Sequence, residues 1–310
     1  MPLAGSDSGR GWWRAAGLML LTGILSVVNP GVLVALPLGL LTVFSRERTG
    51  LSILVILLVV FLVLGGIPGS GLWYAERGWA LILGGWFLSL TLRWPEEPFI
   101  TRGLGAVAGT FGAVGLLFWA RPGQWAVLDW AVTSRMESGM ALAIQTLRSS
   151  MGPEAVSSGF ESRALEAMAF QGAVFPALLG LASLSALAVA WWLHLRLLRS
   201  SSAGIGPVRT FRFNDQLVWI LILGFLFLLG SSGLLSRLGT NTVVFMGALY
   251  ALRGVGVVLF LTGGLSLFGG TLLLLGFVFV APVLIVGAFV IGLGDTWLNL
   301  RARRGASSSS

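Results

Sequence analysis

The chain has 310 residues, of which 56% are hydrophobic and only 10% are charged, and its net charge is +8. Ordinary soluble domains are about 25% charged, so this composition excludes a soluble globular protein and indicates a membrane protein. All twenty basic residues are arginine, and the sequence has no basic stripe with interleaved aromatic residues, which argues against nucleic-acid binding. Because there is no cysteine and only one histidine, thiolate and multi-histidine metal sites are excluded. We therefore expect neither a metal nor a cofactor.

Apolar runs of about 20 residues, the length that crosses a bilayer, recur along most of the chain. They predict an all-α, polytopic transmembrane bundle of eight or nine spans. Asn29, Pro30 and Gly31 separate the first two runs, because proline and glycine interrupt helices. The short second run is predicted either to cross the membrane or to re-enter it. The predicted spans are 13–29, 31–44, 51–68, 72–92, 103–120, 168–195, 216–235, 241–262 and 267–294.

The orientation is predicted from the arginines, because cytoplasmic loops carry an excess of basic residues. If the first two runs both cross, the N-terminus and most arginine groups share the cytoplasmic face of a bacterial cytoplasmic membrane. Three further spans would place Arg301, Arg303 and Arg304 on the opposite face. Either one predicted span does not cross, or the last helices are miscounted. The arginines predicted to share one face are Arg10, Arg14, Arg46, Arg48, Arg93, Arg102, Arg196, Arg199, Arg209 and Arg212.

The segment 121–167 is more polar than its neighbours. Apolar residues recur at helical spacing from Trp125 to Leu147, with charged residues on the rest of the helical wheel. This pattern predicts an amphipathic helix over 124–148 that lies along the membrane interface or against the bundle. The predicted organisation is N-terminal transmembrane helices at 1–120, this interfacial segment at 121–167, C-terminal transmembrane helices at 168–304 and a disordered tail at 305–310.

Arg253 is the first candidate for a functional residue. It lies about twelve residues into the span 241–262, and at 1.5 Å per residue this places it near mid-membrane. A charged arginine at the centre of a transmembrane helix costs roughly 2.5–3.5 kcal/mol, so it usually has a partner or a function. We predict that Arg253 faces the bundle interior and approaches Asp295, or the pair Asn214 and Asp215. Both a structural ion pair and contact with an anionic ligand remain open.

The acidic candidates also have local interpretations. Asp295 precedes the C-terminal arginines, where it is equally compatible with a polar cap at the membrane interface. Asn214 and Asp215 come just before an apolar run, a position typical of a helix N-cap with a favourable dipole.

Gly105, Gly109, Gly112 and Gly115 lie on or near one helical face, at spacings of four, three and three. Small residues allow close approach of helices in lipid, so this face is predicted to pack against another helix, in this chain or in a partner. No arrangement of nucleophile and base, metal cluster or phosphate loop is visible, and we therefore predict that the protein is not an enzyme.

Five features follow one another in the C-terminal half: Pro176 within an apolar helix, His194–Arg199, Phe211–Trp219, Tyr250–Gly254 and Gly292–Arg301. Their order and spacing over residues 160–304 resemble the YybS-like family of uncharacterised bacterial membrane proteins. That family is similar to the substrate-binding (S) components of energy-coupling-factor vitamin transporters, so the resemblance implies a compact helical bundle with extensions. The first span lacks the Ala-x-x-x-Ala spacing through which S components contact their coupling protein.

Two functions follow as expectations. The resemblance and the polar residues within an apolar scaffold predict non-enzymatic binding of a small ligand, connected with transport. The alternative is a structural or assembly subunit that docks another membrane protein through the glycine face and the interfacial helix. The expected partners are the lipid bilayer, a small molecule of unknown identity and, in the alternative, another membrane protein.

Overall fold

The computed structural model of the chain describes residues 7–25, 28–45, 50–65, 71–121, 123–152, 158–198, 204–264 and 267–302. Within these ranges the regular structure is helical and includes no strand, which confirms the predicted all-α class. The chain divides into two compact units, Met1–Gly204 and Ile205–Ser310. The predicted disordered tail at 305–310, and with it Arg303 and Arg304, lies outside the described residues.

The helices of the first unit follow one another with short connections. They are α1 (Asp7–Leu25), α2 (Pro30–Val43), α3 (Gly50–Leu64), α4 (Gly71–Arg93), α5 (Phe99–Ala120), α6 (Gln124–Met151), α7 (Ser158–Ala173) and α8 (Phe175–Leu198). The second unit contains α9 (Val218–Gly230), α10 (Leu234–Leu261) and α11 (Leu267–Leu298), preceded by 3-10 turns at Val208–Thr210 and Asp215–Leu217.

The division into units follows packing rather than membrane position. Helix α8 contacts α1 and α2, so it joins the first unit, although the sequence placed it with the C-terminal helices after residue 167. Contacts between helices do not locate the bilayer, and the division into N-terminal and C-terminal membrane helices stays a prediction.

Helix α8 packs through small side chains in the core of the first unit. Small residues allow helix backbones to approach closely, which matters in lipid because no hydrophobic force drives helices together there. Three alanines on this helix are fully buried: Ala182, Ala186 and Ala190.

Two hydrogen bonds fix α8 against its neighbours. The hydroxyls of Thr22 on α1 and Ser185 on α8 lie 2.8 Å apart. The indole Nε1 of Trp79 on α4 donates to Ser183 Oγ on α8 at 2.9 Å. These buried polar groups are thereby satisfied within the protein, as the apolar surroundings require.

Helix α2 is short and enclosed. Asn29 caps it by accepting a hydrogen bond from the Gly31 backbone at 3.0 Å, and Pro30 opens the helix. At 1.5 Å per residue its length is about 21 Å, less than the roughly 30 Å of a hydrocarbon core. Most of its residues from Val32 to Thr42 are buried in the unit. This enclosure supports the re-entrant alternative for the run 31–44, because non-spanning segments at membrane depth have to be covered by protein.

The span predicted over 168–195 is wrong in one respect. The structure contains two helices there, α7 and α8, with a turn at Val174 between them. Pro176 is the second residue of α8, where its missing N–H would have had no helical partner in any case. The proline therefore begins a helix and does not lie within one.

The amphipathic pattern of 124–148 forms one continuous helix, α6. Val132 is only 2% exposed and belongs to the core, and Leu128 and Met136, one turn away on each side, pack against it. In the C-terminal half, Ala143 and Leu147 of the same apolar stripe are exposed. The first half of α6 therefore lies against the bundle.

The second unit is held together by backbone contacts at glycines. A Cβ atom at Gly239 of α10 would lie 2.5 Å from the Leu228 nitrogen of α9. Between α10 and α11, a Cβ at Gly254 would overlap the Ala288 carbonyl, and a Cβ at Gly292 would overlap the Tyr250 carbonyl. Neither crossing point was identified from the sequence, which placed glycine packing on α5.

The single span predicted over 267–294 is also wrong in its continuity. The backbone of α11 is non-helical at Val280 (φ −133°, ψ 32°), two residues before Pro282. Proline has no N–H to donate, and its ring clashes with the carbonyl four residues earlier. Helix α11 therefore consists of two halves.

Within the described part of the chain, four helical segments are long and apolar enough to cross a bilayer: Phe99–Ala120, Phe175–Leu197, Leu234–Leu261 and Phe279–Leu298. The same residues include four shorter apolar helices. The protein is thus a multi-pass membrane helical bundle, whereas the number of eight or nine crossings stays a prediction.

The glycine contact between α10 and α11 predicts a strong effect of one added methyl group. Replacing Gly254 by alanine is expected to lower the thermal unfolding temperature in detergent. The added methyl group would overlap the Ala288 carbonyl, and backbone atoms cannot rotate away as a side chain can. Overpacking of this kind costs about 1–3 kcal/mol. Gly112→Ala is the matched control, since no atom lies within 4 Å of its Cβ position. Equal unfolding temperatures for the two variants would contradict this description of the contact.

The contacts of the second unit also predict on which side of the membrane the C-terminus lies. Arg301 Nη2 donates to the Phe211 carbonyl at 3.0 Å, so the chain enters α9 and leaves α11 at the same depth. A chain that returns to its starting depth makes an even number of crossings, with the halves of α11 running in and out. Reporters inserted at Gly206 and after Ser310 should therefore report the same side, by green fluorescence or by alkaline phosphatase activity. Opposite sides would refute the even count.

Candidate functional site

Arg253 is fully buried in α10. Helix α10 begins at Leu234, seven residues before the predicted start of the span, so Arg253 is not at the helix centre. It lies eight residues before Leu261, about 12 Å from the C-terminal end. The mid-membrane position of Arg253 stays a prediction, whereas the expected interior position agrees with its burial.

The guanidinium of Arg253 bonds two carboxylates from two other segments. Its Nε donates to Asp295 Oδ2 at 3.0 Å, and its Nη1 donates to Asp215 Oδ1 at 2.6 Å. The Asp295 side chain, on α11, is 1% exposed, whereas the Asp215 side chain, just before α9, is 40% exposed. The sequence offered these carboxylates as alternatives, and the structure brings both to the arginine.

An aromatic ring covers the same guanidinium. The centroid of the Phe213 ring lies 5.6 Å from Arg253 Cζ, and the ring is almost completely buried. Aromatic faces attract cations, more strongly where water is excluded. Phe213 in turn contacts Tyr250 edge to face, with 5.1 Å between the ring centroids. The segment before α9 therefore packs over the arginine.

Arg301 joins this group, although sequence reasoning treated it only as an orientation signal. Its Nη2 donates to the carbonyls of Phe211 and Arg253, at 3.0 and 3.3 Å. Its Nε lies 3.9 Å from Asp295 Oδ2. Arg301 is the last residue of the motif Gly292–Arg301 and follows Asp295 by six residues. This closeness to Asp295 in the sequence was the signal that could have identified Arg301 as part of the site.

Asn214 and Asp215 have different roles despite being adjacent. The Asn214 side chain accepts a hydrogen bond from the Gln216 backbone at 3.0 Å, which is the predicted N-cap. Asp215 instead accepts hydrogen bonds from Arg253 and from Arg212, the latter at 3.2 Å. Burial raises the pKa of Asp215, but hydrogen bonds and charges from the two arginines outweigh burial and lower that pKa. Asp215 is therefore ionised at neutral pH.

Five buried polar atoms in this region have no hydrogen-bond partner. They are Arg253 Nη2, Arg301 Nε, Asp295 Oδ1 and the hydroxyl oxygens of Tyr250 and Thr296. The two hydroxyls are near each other but do not meet hydrogen-bond geometry. Because more than about 90% of buried polar groups in proteins are bonded, five such atoms in one place are unusual. We call Asp215, Tyr250, Arg253, Asp295, Thr296 and Arg301 the Arg253 cluster.

The two arginines of the cluster, Arg253 and Arg301, are balanced by Asp215 and Asp295, and the half-exposed Arg212 adds a third positive charge beside Asp215. All unpaired atoms except Asp295 Oδ1 belong to groups that can donate a hydrogen bond. The cluster therefore has too few acceptors for its buried donors.

The predicted glycine face of α5 is divided in the structure. The Cβ positions of Gly105 and Gly109 lie 3.0 Å from Leu90 and 2.8 Å from the Trp86 ring, both on α4. Gly112 and Gly115 have no atom within 4 Å. The neighbour of the first half of the face is therefore in the same chain.

The family model described as "Predicted membrane protein (DUF2232)" matches residues 15–296, nearly the whole chain. Neither a curated protein nor a solved structure matches the chain. The likeness to the YybS-like family and to S components stays an expectation from the sequence.

The two carboxylates of the cluster are predicted to differ in their importance for stability. Asp295→Asn should lower the free energy of unfolding by about 3–5 kcal/mol, because it leaves the buried Arg253 charge without its buried partner. Asp215→Asn should cost about 1 kcal/mol or less, because solvent screens the half-exposed pair. Thermal unfolding in detergent measures both, with the exposed Glu137→Gln of α6 as control. A loss at Asp295 no larger than at Glu137 would disprove the buried pair.

Proposed function

The chain belongs to the DUF2232 family of predicted membrane proteins, and we propose that it binds a small organic anion at the Arg253 cluster, without catalysing a reaction. One observation carries the proposal. The cluster combines buried, unpaired hydrogen-bond donors with the positive charge of the half-exposed Arg212 beside it. Ionisable groups within membrane bundles commonly mark the path of a substrate or an ion.

A carboxylate is the anion that these donors fit best. Arg253 Nη2 and Arg301 Nε belong to planar guanidinium groups, which pair with the two oxygens of a carboxylate. The hydroxyls of Tyr250 and Thr296 add two rotatable donors, and either can also turn to Asp295 Oδ1. A single negative charge balances the positive charge that Arg212 adds beside the cluster, whereas a phosphate dianion would exceed it.

Binding is favoured over catalysis by the bonding of the two carboxylates. Asp215 and Asp295 each accept a hydrogen bond from Arg253, at 2.6 and 3.0 Å. A general base has to lie within hydrogen-bond reach of the proton that it takes from substrate. Both carboxylates are instead directed at Arg253, and the aspartates therefore position its guanidinium group.

A connection with transport rests on the resemblance to S components, which bind small molecules within a helical bundle. Asp215 provides the route of entry, because its side chain is 40% exposed while Arg253 behind it is buried. A ligand that reaches the cluster has to pass the segment 204–217, which contains no α-helix.

A second candidate function is docking of another membrane protein through the outer half of α5. Gly112 and Gly115 have open space at their Cβ positions, and next to them Leu116 and Trp119 are 68% and 84% exposed. Small residues on an exposed apolar helix favour close contact with a second helix. This surface belongs to the first unit, so it does not compete with the Arg253 cluster.

The proposed function predicts saturable stabilisation of the purified protein by small carboxylates. Acetate and lactate should raise the unfolding temperature in detergent, whereas sodium chloride at equal ionic strength should not. Thr296→Val and Tyr250→Phe remove only hydroxyls, and each should weaken binding about fivefold, the effect of roughly 1 kcal/mol for one hydrogen bond. Thr240→Val is the matched control, because the Thr240 hydroxyl bonds the Ser236 carbonyl elsewhere on α10.

The same preparation separates the two candidate functions. A small molecule retained through purification and detected by mass spectrometry, lost in Thr296→Val but not in Thr240→Val, supports ligand binding. Absence of any retained molecule together with absence of carboxylate stabilisation refutes it. A stoichiometric membrane protein that is lost when Gly112 is replaced by leucine supports docking.

A further inference from the structure

A separate groove in the first unit lies between α4 and α6. Its volume is about 580 Å³, and α6 lines it with Trp130, Ser134, Arg135 and Ser138. The opposite wall includes Trp73 and Arg77 of α4. No residue of the Arg253 cluster takes part, so this groove is a second, independent place where charge and aromatic rings meet.

Each nitrogen of the Arg77 guanidinium is bonded to the fold. Its Nε donates to the Val63 carbonyl at 2.5 Å, its Nη2 to the Gly65 carbonyl at 2.6 Å and its Nη1 to the Trp73 carbonyl at 3.1 Å. Two of these carbonyls lie at the C-terminal end of α3, where backbone oxygens lack helical partners and a cation is favourable. Arg77 therefore closes α3, and its position is fixed by the fold.

Arg135 is held in place by one ion pair and keeps hydrogen-bond donors that have no acceptor among the described residues. Its Nη1 donates to Glu76 Oε1, and the Glu76 side chain is only 5% exposed. The Arg135 side chain is 46% exposed, and no other hydrogen bond joins it to the described residues. Its remaining donors line the groove beside the hydroxyls of Ser134 and Ser138, one helical turn apart.

The charge of the groove favours an anion. Arg77 and Arg135 carry two positive charges, and Glu76 carries one negative charge. The carboxylate of Glu76 is buried and already paired with Arg135, so it orients the guanidinium more than it repels a ligand. The groove therefore carries a net charge of +1, and the hydrogen-bond donors that a ligand can reach are those at the half-exposed end of Arg135.

An exposed apolar surface begins where the groove ends. Gly65, which lines the groove, directly follows α3, and Phe61 and Leu64 of that helix are 72% and 66% exposed. Trp130, at the groove itself, is 71% exposed. Tryptophan rings favour the headgroup level of a bilayer, and basic pockets between transmembrane helices bind anionic headgroups.

We propose that this groove binds the phosphate of an anionic phospholipid. Arg135 and Ser134 hold the phosphate, and Ser138 joins them when its hydroxyl turns away from the Ser134 and Arg135 carbonyls to which it donates. The acyl chains lie along the exposed face of α3. The dimensions allow this occupant, because a groove of about 580 Å³ lies within the range of small-molecule sites and has room for a complete lipid headgroup, while the long apolar part remains outside it on the helix.

The proposal is tested by native mass spectrometry of the full-length protein released from nanodiscs with equal parts phosphatidylglycerol and phosphatidylcholine. The protein should retain phosphatidylglycerol about tenfold more often than phosphatidylcholine. The double variant Ser134→Ala, Ser138→Ala should reduce that preference at least fivefold, since each lost hydrogen bond to a charged group is worth about 1.5 kcal/mol or more. Arg135→Gln should abolish it, and Arg163→Gln, an exposed arginine of α7, should leave it unchanged.

Three outcomes would overturn the proposal. They are equal retention of the two lipids, equal losses in Arg135→Gln and Arg163→Gln, and complete displacement of the lipid by 10 mM inorganic phosphate, a concentration roughly ten-thousandfold above a micromolar dissociation constant. If Arg135→Gln does not fold because Glu76 is left unpaired, the serine variant decides the question alone. Carboxylate stabilisation at the Arg253 cluster is unaffected by any of these results.

Discussion

The second unit depends on one constraint, which is that the charge of Arg253 is buried in an apolar helix. An unpaired charge in such surroundings is very unfavourable, whereas a pair with good geometry recovers much of the lost hydration. Arg253 therefore requires Asp295 and Asp215, which are 42 and 38 residues away along the chain. The need for these partners fixes α11 and the start of α9 against α10.

Glycine makes this pairing possible. Asp295 reaches Arg253 because α10 and α11 touch backbone to backbone at Gly254 and Gly292, where any side chain would hold the helices apart. The close contact and the ion pair support each other, since a short side chain such as aspartate spans only a small gap between helices. The ion pair of the arginine and the close helix contact at the neighbouring glycine thus depend on each other.

The sequence is sufficient to predict the partners of Arg253, because carboxylates are rare in the apolar runs after residue 205. It does not predict the role of Arg301, or the unpaired hydroxyls of Tyr250 and Thr296, because these depend on how two helices cross. Prolines show a similar limit. Pro37 remains within α2, Pro176 begins α8, and Pro282 follows the break in α11. The conformational preference of proline allows all three positions relative to a helix, and the packing of the helices determines which one occurs.

The two proposed sites share a physical arrangement. In each, a buried carboxylate positions an arginine that has donors left over: Asp295 for Arg253, and Glu76 for Arg135. At the Arg253 cluster the leftover donors are buried, so they are costly to the empty protein. An anion that completes their hydrogen bonds removes that cost, and by linkage any ligand that binds only the folded state also raises stability. At Arg135 the leftover donors are half exposed to solvent, so the empty groove costs less. The same anion should therefore stabilise the fold more through the Arg253 cluster than through the groove.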